Sequence, residues 1–245
     1  MQRYFIDERF KDGQVTLTGD DARHITRVMR MRAGDEIIVV ECEETAHICA
    51  IESVEEEVIV RQTGRTIASP ELPIHVTIAC GLPKGDKLDL IVQKGTELGM
   101  YALQPFEAAR SIVKWDAKKG AKKIERLQKI AKEAAEQSHR THIPTVHQSV
   151  SFAQLVKSCE NYDVVFVADE EDAKVEERTR LVDKLKKVYD CKSMLVIFGP
   201  EGGIAREEAE MLREAGVITT SLGPRILRAE TAPLYMLSAI SYEFE

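Results

Sequence analysis

Most features that would assign a chain quickly are missing from this one. No apolar run in the 245 residues approaches the roughly 20 needed for a membrane-spanning helix. The polar start, Met1-Gln-Arg-Tyr-Phe5, gives no expectation of a signal peptide or of membrane attachment. Cysteine is scarce and odd in number, five residues (Cys42, Cys49, Cys80, Cys159 and Cys191) with no Cys-x-x-Cys pair. That excludes a disulfide framework and points to reduced, mostly buried thiols in a cytoplasmic protein. An excess of positive charge is lacking too: 34 Lys and Arg stand against 41 Asp and Glu, a net charge of -7. A uniformly basic nucleic-acid coat is thereby excluded, although local charge still decides binding.

Absent motifs narrow the chemistry. Neither Gly-x-x-x-x-Gly-Lys-Ser/Thr nor an early Gly-x-Gly-x-x-Gly is present, which argues against a nucleotide triphosphatase and a dehydrogenase. Gly-x-Ser-x-Gly is missing, against a serine hydrolase. There is no His-Glu-x-x-His. His139, His142 and His147 are close in sequence, but the first two fall where a helix ends, so no metal site is expected.

What is present gathers in the last quarter. The apolar run Met194-Leu-Val-Ile-Phe198 enters Gly199-Pro-Glu-Gly-Gly203 and then a helix. About twenty residues on, Val217–Leu222 ends in Gly223-Pro224, followed by Arg225-Ile-Leu-Arg228 and an amphipathic helix from Ala229 to Phe244. Two strand-to-glycine-loop transitions so close together are expected side by side at the C-terminal edge of one parallel sheet, where open α/β sheets bind ligands. Glycine lets backbone approach a ligand closely. The carboxylate of Glu201 would repel phosphates, so a neutral or cationic adenosine derivative suits the loop better than a nucleotide. The alternative is a tight turn with Glu201 as a helix-start charge.

Upstream, residues 1 to about 68 read as β-rich with one helix. Gln14–Thr18, Glu36–Val40, Ala46–Ile51 and Glu57–Arg61 are short strands, suggesting a small barrel. A helix from Gly19 through Arg32 places Arg23, Arg27 and Arg30 at i, i+4 and i+7, with His24 beside them and Ile25, Val28 and Met29 on the other side. This stripe is either a solvated face or a contact for a polyanion. Ala68-Ser-Pro-Glu-Leu-Pro73 is a linker, giving two domains, 1–70 and 71–245. Beyond it strands and helices alternate: Ile74–Ala79, a helix at Asp86–Leu98, Tyr101–Phe106, a long helix from Lys118 to about His139, a strand near Thr145–Gln148, a helix at Phe152–Cys159, Asp163–Ala168, and a helix at Val175–Tyr189. The rhythm predicts a mostly parallel sheet covered by helices on both faces. From Arg110 to Arg140 basic residues far outnumber acidic ones. Within that run Trp115, the sole tryptophan, either stacks on a base or anchors a loop to the core.

Together, Gly199-Pro-Glu-Gly-Gly203 and Leu222-Gly-Pro-Arg-Ile-Leu-Arg-Ala-Glu-Thr-Ala232 closely resemble the RsmE family of 16S ribosomal RNA (uridine N3) methyltransferases, of the SPOUT superfamily. Glu136-Gln-Ser-His-Arg140 and Met1-Gln-Arg-Tyr-Phe5 are similar as well, so the resemblance spans nearly the whole chain. It implies an α/β C-terminal domain with a SPOUT-type trefoil knot and a small N-terminal PUA-like RNA-binding β-barrel domain. It also implies S-adenosylmethionine as cofactor, 16S RNA within the small ribosomal subunit as substrate, and a homodimer. The cofactor is expected against Gly199, Pro200, Glu201 and Gly202 on one loop and Leu222, Gly223, Ile226, Leu227, Arg228 and Ala229 on the other, with the end of the Val164–Ala168 strand as a third wall. Arg3, Arg23, His24, Arg27, Arg30, Gln137 and Arg140 are the candidate RNA contacts. His139 departs from the family, where a small residue is common.

Uracil N3 carries an imide proton, so methylation there calls for a cation beside the carbonyl oxygens and an acceptor for the proton. Arg228 is the first candidate cation and Arg140 the second; Glu230 or Glu201 are candidate acceptors. Arg228 can instead hold its loop by pairing with one of those glutamates, and Glu230 can instead cap the final helix. Two other functions remain open: a ribose 2′-O-methyltransferase of the same superfamily, and a non-enzymatic RNA-binding ribosome-assembly factor.

Overall fold

The computed structural model describes residues 1–169 and 180–244. The chain packs into two compact units, Met1–Glu71 with Ala135–His142, and Leu72–Ala134 with Ile143–Glu245. The first stretch ends at Glu71, and residues 135–142 pack with it. The reason is electrostatic and lies within the first unit. Glu71 accepts hydrogen bonds from the amides of Thr141 and His142 at 2.8 and 3.1 Å, and it pairs with the Arg140 guanidinium.

The first unit holds a five-stranded sheet in the order β1-β3-β4-β5-β2, from β1 (Arg3–Phe5), β2 (Gln14–Leu17), β3 (Glu36–Val40), β4 (Ala46–Val54) and β5 (Val58–Ile67). Only β1 and β3 run parallel. Register shifts between Ile48 and Cys49 and between Ile51 and Ser53 bend the long β4–β5 pair. Alternation along the strands gives the sheet two apolar faces. Tyr4, Val15, Leu17, Ile37, Val39, Ile51, Val58 and Val60 pack with Ala22 and Ile25 on one, and Ile38, Val40 and Ala46 fill the other.

The helix expected through Arg32 is shorter. An α-helical turn α1 (Gly19–Arg23) passes into a π-helical turn at His24–Val28 that ends at Met29. Arg30 then adopts a left-handed conformation, φ +53°. The wider π turn breaks the 3.6-residue period, so Val28 and Met29 are exposed while Ile25 alone of the three is buried.

In the second unit, seven strands form a parallel sheet: β6 (His75–Gly81), β7 (Ala102–Glu107), β8 (Thr145–Val146), β9 (Val150–Ser151), β10 (Val164–Ala168), β11 (Ser193–Phe198) and β12 (Ile218–Thr220). The order is β12-β10-β11-β6-β7-β8, with β9 also on β7. Side chains of the central strands are buried on both faces. Met194, Val196 and Phe198 of β11 meet α2 (Lys87–Glu97), α3 (Ala117–Gln137), α5 (Leu181–Lys186) and α7 (Thr231–Phe244). Leu195 and Ile197 meet α4 (Phe152–Ser158) and α6 (Arg206–Glu214). Each such fully buried aliphatic side chain stabilises the sheet by about 2 kcal/mol. The N-terminal part of the helix expected at Val175–Tyr189 lies outside the described residues. Trp115 is half-buried against this core with the Lys123 ammonium 5.4 Å above its ring, the anchoring alternative.

Chain order turns between β6 and β11. From β6 the strands are laid outward through β7 to β8, and then on the other side through β10, with β11 inserted between β10 and β6. Ligands bind at such reversals, beyond the C-terminal strand ends. One expectation is corrected here: the loops after β11 and β12 share that edge but are not adjacent. β10 runs between their strands, pairing Phe198 on one side and Thr220 on the other through Ala168.

Candidate active site

The first loop, Gly199–Ile204, turns back on itself through a hydrogen bond from the Gly203 amide to the Pro200 carbonyl at 2.8 Å. A Cβ on Gly199 would stand 2.7 Å from the Gly203 carbonyl carbon, and one on Gly81 would stand 2.6 Å from Pro200 Cδ. Both positions thus demand glycine for backbone to pass this close, and the loop lies against the end of β6. Beyond it, Glu208 anchors the start of α6: it accepts from the Ala205 amide at 2.9 Å and from the Ala109 amide at 2.7 Å. The Arg110 guanidinium donates to the Gly202 carbonyl at 2.9 Å.

The second loop, Ser221–Glu230, opens with Gly223 at φ +103°, where no atom lies within 4 Å of the place a Cβ would take. Here glycine serves conformation and leaves open space. Ile226 is 81% exposed and Leu222 and Leu227 are half-buried. The loop ends with the Arg228 carbonyl accepting from the Thr231 and Ala232 amides at 2.8 and 3.0 Å, which starts α7. A cavity of about 450 Å³ lies beside Ser221–Gly223, walled by Leu181 and Leu185 of α5 and by Tyr235 and Ala239 of α7.

Between the loops stands a residue that sequence reasoning missed. Lys87, first in α2, donates to Glu201 Oε1 at 2.8 Å, and its ammonium lies 3.3 Å from Glu230 Oε2. The Lys84 amide also donates to Glu201 Oε1, at 3.0 Å. Burial pushes the Glu201 carboxyl up, but the Lys87 hydrogen bond and the Lys84 amide outweigh it and hold the group below the usual carboxylate range. Glu230 is held low first by its own backbone amide, against burial, and then by Lys87 and the nearby Arg228 charge. Lys87 is raised, chiefly by its bond to Glu201. A carboxylate of lowered proton affinity beside an ammonium is a weaker proton acceptor than a free one. No local signal marks Lys87, since its partner Glu201 is 114 residues away.

The arginine candidates separate. Arg228 is exposed, and among the described residues neither Glu201 nor Glu230 forms an ion pair with it. Arg140, in the first unit, is 5% exposed and pairs with Glu71, donating through Nε to Oε2 at 3.0 Å and through Nη2. Its carboxylate-matched fork is filled by Glu71. Arg3 is likewise buried, 3% exposed, donating to the Arg140 carbonyl at 2.6 Å, so neither Arg3 nor Arg140 presents itself to RNA phosphates.

Of the remaining RNA candidates, Arg23, Arg27, Arg30 and Gln137 are exposed. Arg23 has an acidic neighbour, Asp20 at 3.3 Å on the surface. His24 is half-buried, its Nδ1 bonded to the Tyr4 hydroxyl at 2.9 Å. His139 sits just beyond α3 in a left-handed conformation, φ +59°, as residues that end a helix often do. Among the described residues, no group of three or more His, Cys, Asp or Glu side chains is placed to hold a metal.

The RNA methyltransferase domain family matches residues 70–241, and the RNA methyltransferase PUA domain family matches residues 17–61. Ribosomal RNA small subunit methyltransferase E of Bacillus subtilis is 47% identical over 100% of this chain and 98% of its own length. The protein of that name from Synechocystis is 33% identical, with 96% of this chain and 75% of its own length covered. The crystal structure of a ribosomal RNA small subunit methyltransferase E from Neisseria gonorrhoeae bound to S-adenosyl methionine superposes with a TM-score of 0.84, at 28% identity, over 99% of this chain and 97% of that one. The chain belongs to the ribosomal RNA small subunit methyltransferase E family, an RNA methyltransferase domain joined to a PUA domain.

Proposed function

We propose that this protein transfers the methyl group of S-adenosylmethionine to N3 of a uridine in the 16S RNA of the small ribosomal subunit. The observation that carries the reading is the pair of glycine loops along the C-terminal edge of the parallel sheet, the first of them at the chain-order reversal, in a chain 47% identical to a ribosomal RNA small subunit methyltransferase E. The residues fit the cofactor. Backbone at Gly199, Pro200, Glu201 and Gly202 offers amides and carbonyls for an adenine edge. Around the open space at Gly223, the side chains of Leu222, Ile226, Leu227 and Ala229 supply apolar surface for its faces. When bound, the cofactor supplies a methyl group activated by the sulfonium charge. No phosphate is to be neutralised, which agrees with the carboxylate of Glu201 in the first loop.

Arg228 holds a positive charge beside the uracil carbonyl oxygens, where negative charge grows as the N3 proton leaves. Arg23, Arg27 and Arg30, with Gln137, meet RNA, the arginines at phosphates. Two copies associate through the C-terminal unit, for which the exposed rings of Tyr235 and Tyr242 on α7 are the support. The five free cysteines suit a reducing cytoplasm, with the thiols of Cys49 and Cys80 pushed up to about 12 by burial and therefore inert. The test is mass spectrometry of small-subunit RNA from cells lacking this chain. Loss of one N3-methyluridine is expected; loss of a ribose methyl would favour the 2′-O-methyltransferase, and intact RNA would leave only an assembly factor.

A further inference from the structure

The two loops are separated by a strand, and among the described residues no hydrogen bond joins Gly199–Ile204 directly to Ser221–Glu230. Flanking β10 on either side, their strands stand about 10 Å apart. Each loop instead contributes one carboxylate, Glu201 and Glu230, and both carboxylates reach the same ammonium. Unbridged, the two negative charges would repel each other and drive the loops apart.

The location of that ammonium is informative in itself. Lys87 is the first residue of α2, where the positive end of the helix dipole disfavours a cation. The helix dipole therefore does not favour a lysine there; its tertiary partners do. The side chain is 30% exposed and its partners are 31% and 17% exposed, so the contacts are partly withdrawn from solvent and less screened than a surface pair. The raised proton affinity of Lys87 and the lowered affinities of both glutamates agree with an ammonium held between two carboxylates.

We propose that Lys87 is a positioning residue that fixes the distance between the two cofactor loops by clasping Glu201 of the first and Glu230 of the second. The proposal rests on the reading that these loops hold S-adenosylmethionine. Lys87 touches neither cofactor nor substrate in this account. It acts through the loops, and its removal changes how well they close around a ligand rather than the chemistry that follows. By keeping Glu230 engaged, it also leaves the neighbouring Arg228 unclaimed.

The experiment measures S-adenosylmethionine binding by calorimetry and methyl transfer to small subunits for the full chain and for Lys87→Met, Lys87→Arg, Glu230→Gln and Lys87→Met/Glu230→Gln. Lys87→Met is expected to weaken cofactor binding about tenfold, as for removal of a charge-assisted hydrogen bond. Its rate at saturating cofactor is expected to stay within about threefold, with the KM carrying the difference. Lys87→Arg restores affinity to within about threefold of the parent, because a guanidinium can still span both carboxylates. The double variant binds no more weakly than Lys87→Met alone, since either change opens the same clasp. Unchanged affinity in Lys87→Met overturns the proposal. So do additive losses in the double variant, a rate that collapses at unchanged affinity, or a loss of thermal stability that Lys87→Arg reverses without restoring binding. Failure of the unaltered protein to bind S-adenosylmethionine would instead overturn the cofactor reading itself.

Discussion

The segments Glu136–His142 and Gly223–Glu230 both bring arginine and glutamate together at a helix end, the first where α3 stops and the second just before α7 begins. Folded, they do opposite things. In the first, Arg140 is buried and turned onto Glu71, which also takes the amides of Thr141 and His142. In the second, Arg228 is exposed, and the glutamate beside it is taken up by Lys87. One arginine is spent on holding a segment to its unit, and the other is left with its charge available. What distinguishes them is the partner of the neighbouring carboxylate, which no short motif records.

The strongest way to break this contrast is Arg228→Ala. Loss of a cation aimed at developing negative charge is expected to slow methyl transfer by a hundred- to a thousandfold, on the scale of removing an oxyanion-stabilising donor. Cofactor affinity should stay within about twofold of the parent. A parallel fall of affinity and rate, followed by single-turnover kinetics and calorimetry, would make Arg228 a loop support and erase the difference from Arg140.

Next in size is Arg140→Ala, which strands the Glu71 carboxylate in a partly buried site. A loss of about 3 kcal/mol is expected, as for breaking a buried ion pair from one side. Hydrogen exchange of the first unit should show it, with amides of β1, β3 and residues 140–142 losing protection. A slowed reaction with protection unchanged would place Arg140 in catalysis instead.

The same pair predicts an acid limit. Burial raises the Glu71 carboxyl, but the Arg140 hydrogen bond and charge and the Thr141 and His142 amides outweigh it, and the net shift is downward. A carboxyl depressed in the folded state contributes stability that is fully present above its unfolded value and lost as pH falls through its folded one. Denaturation followed from neutral pH downward should therefore show the first unit weakening below the usual carboxylate range. Glu71→Gln is expected to flatten that slope while lowering stability at neutral pH; an unaltered slope would assign acid sensitivity elsewhere.

The smallest effect concerns the exposed arginines of the first unit. Arg23→Ala, Arg27→Ala and Arg30→Ala together should flatten the salt dependence of RNA binding by up to about three units, near one for each phosphate that is no longer neutralised. S-adenosylmethionine affinity is expected to be unchanged. An unaltered slope would reduce this stripe to a solvated face.

Much of the fold was legible because it is periodic. β11 reads as a two-sided apolar run and folds as the central strand that run requires, and Glu36–Val40 matches β3 residue for residue. Legibility ended where local rules give way to tertiary ones. The period-3.6 reading of Gly19–Arg32 failed at the π turn, whose extra residue rotates Val28 and Met29 outward. Adjacency of the two glycine loops failed because strand order, not sequence proximity, decides which strand ends are neighbours. Their glycines were visible, but the lysine joining them was not, because its partner Glu201 is 114 residues away. Arg3 and Arg140 resembled RNA ligands until burial and Glu71 assigned them to the interior.

The most direct test of the account is the product itself. Purified protein would be incubated with small ribosomal subunits and methyl-labelled S-adenosylmethionine, and the RNA digested and resolved by mass spectrometry. The account predicts label in a single N3-methyluridine, formed about a hundredfold or more slowly with Arg228→Ala. Label on a ribose 2′-oxygen, or none with cofactor bound, would contradict it.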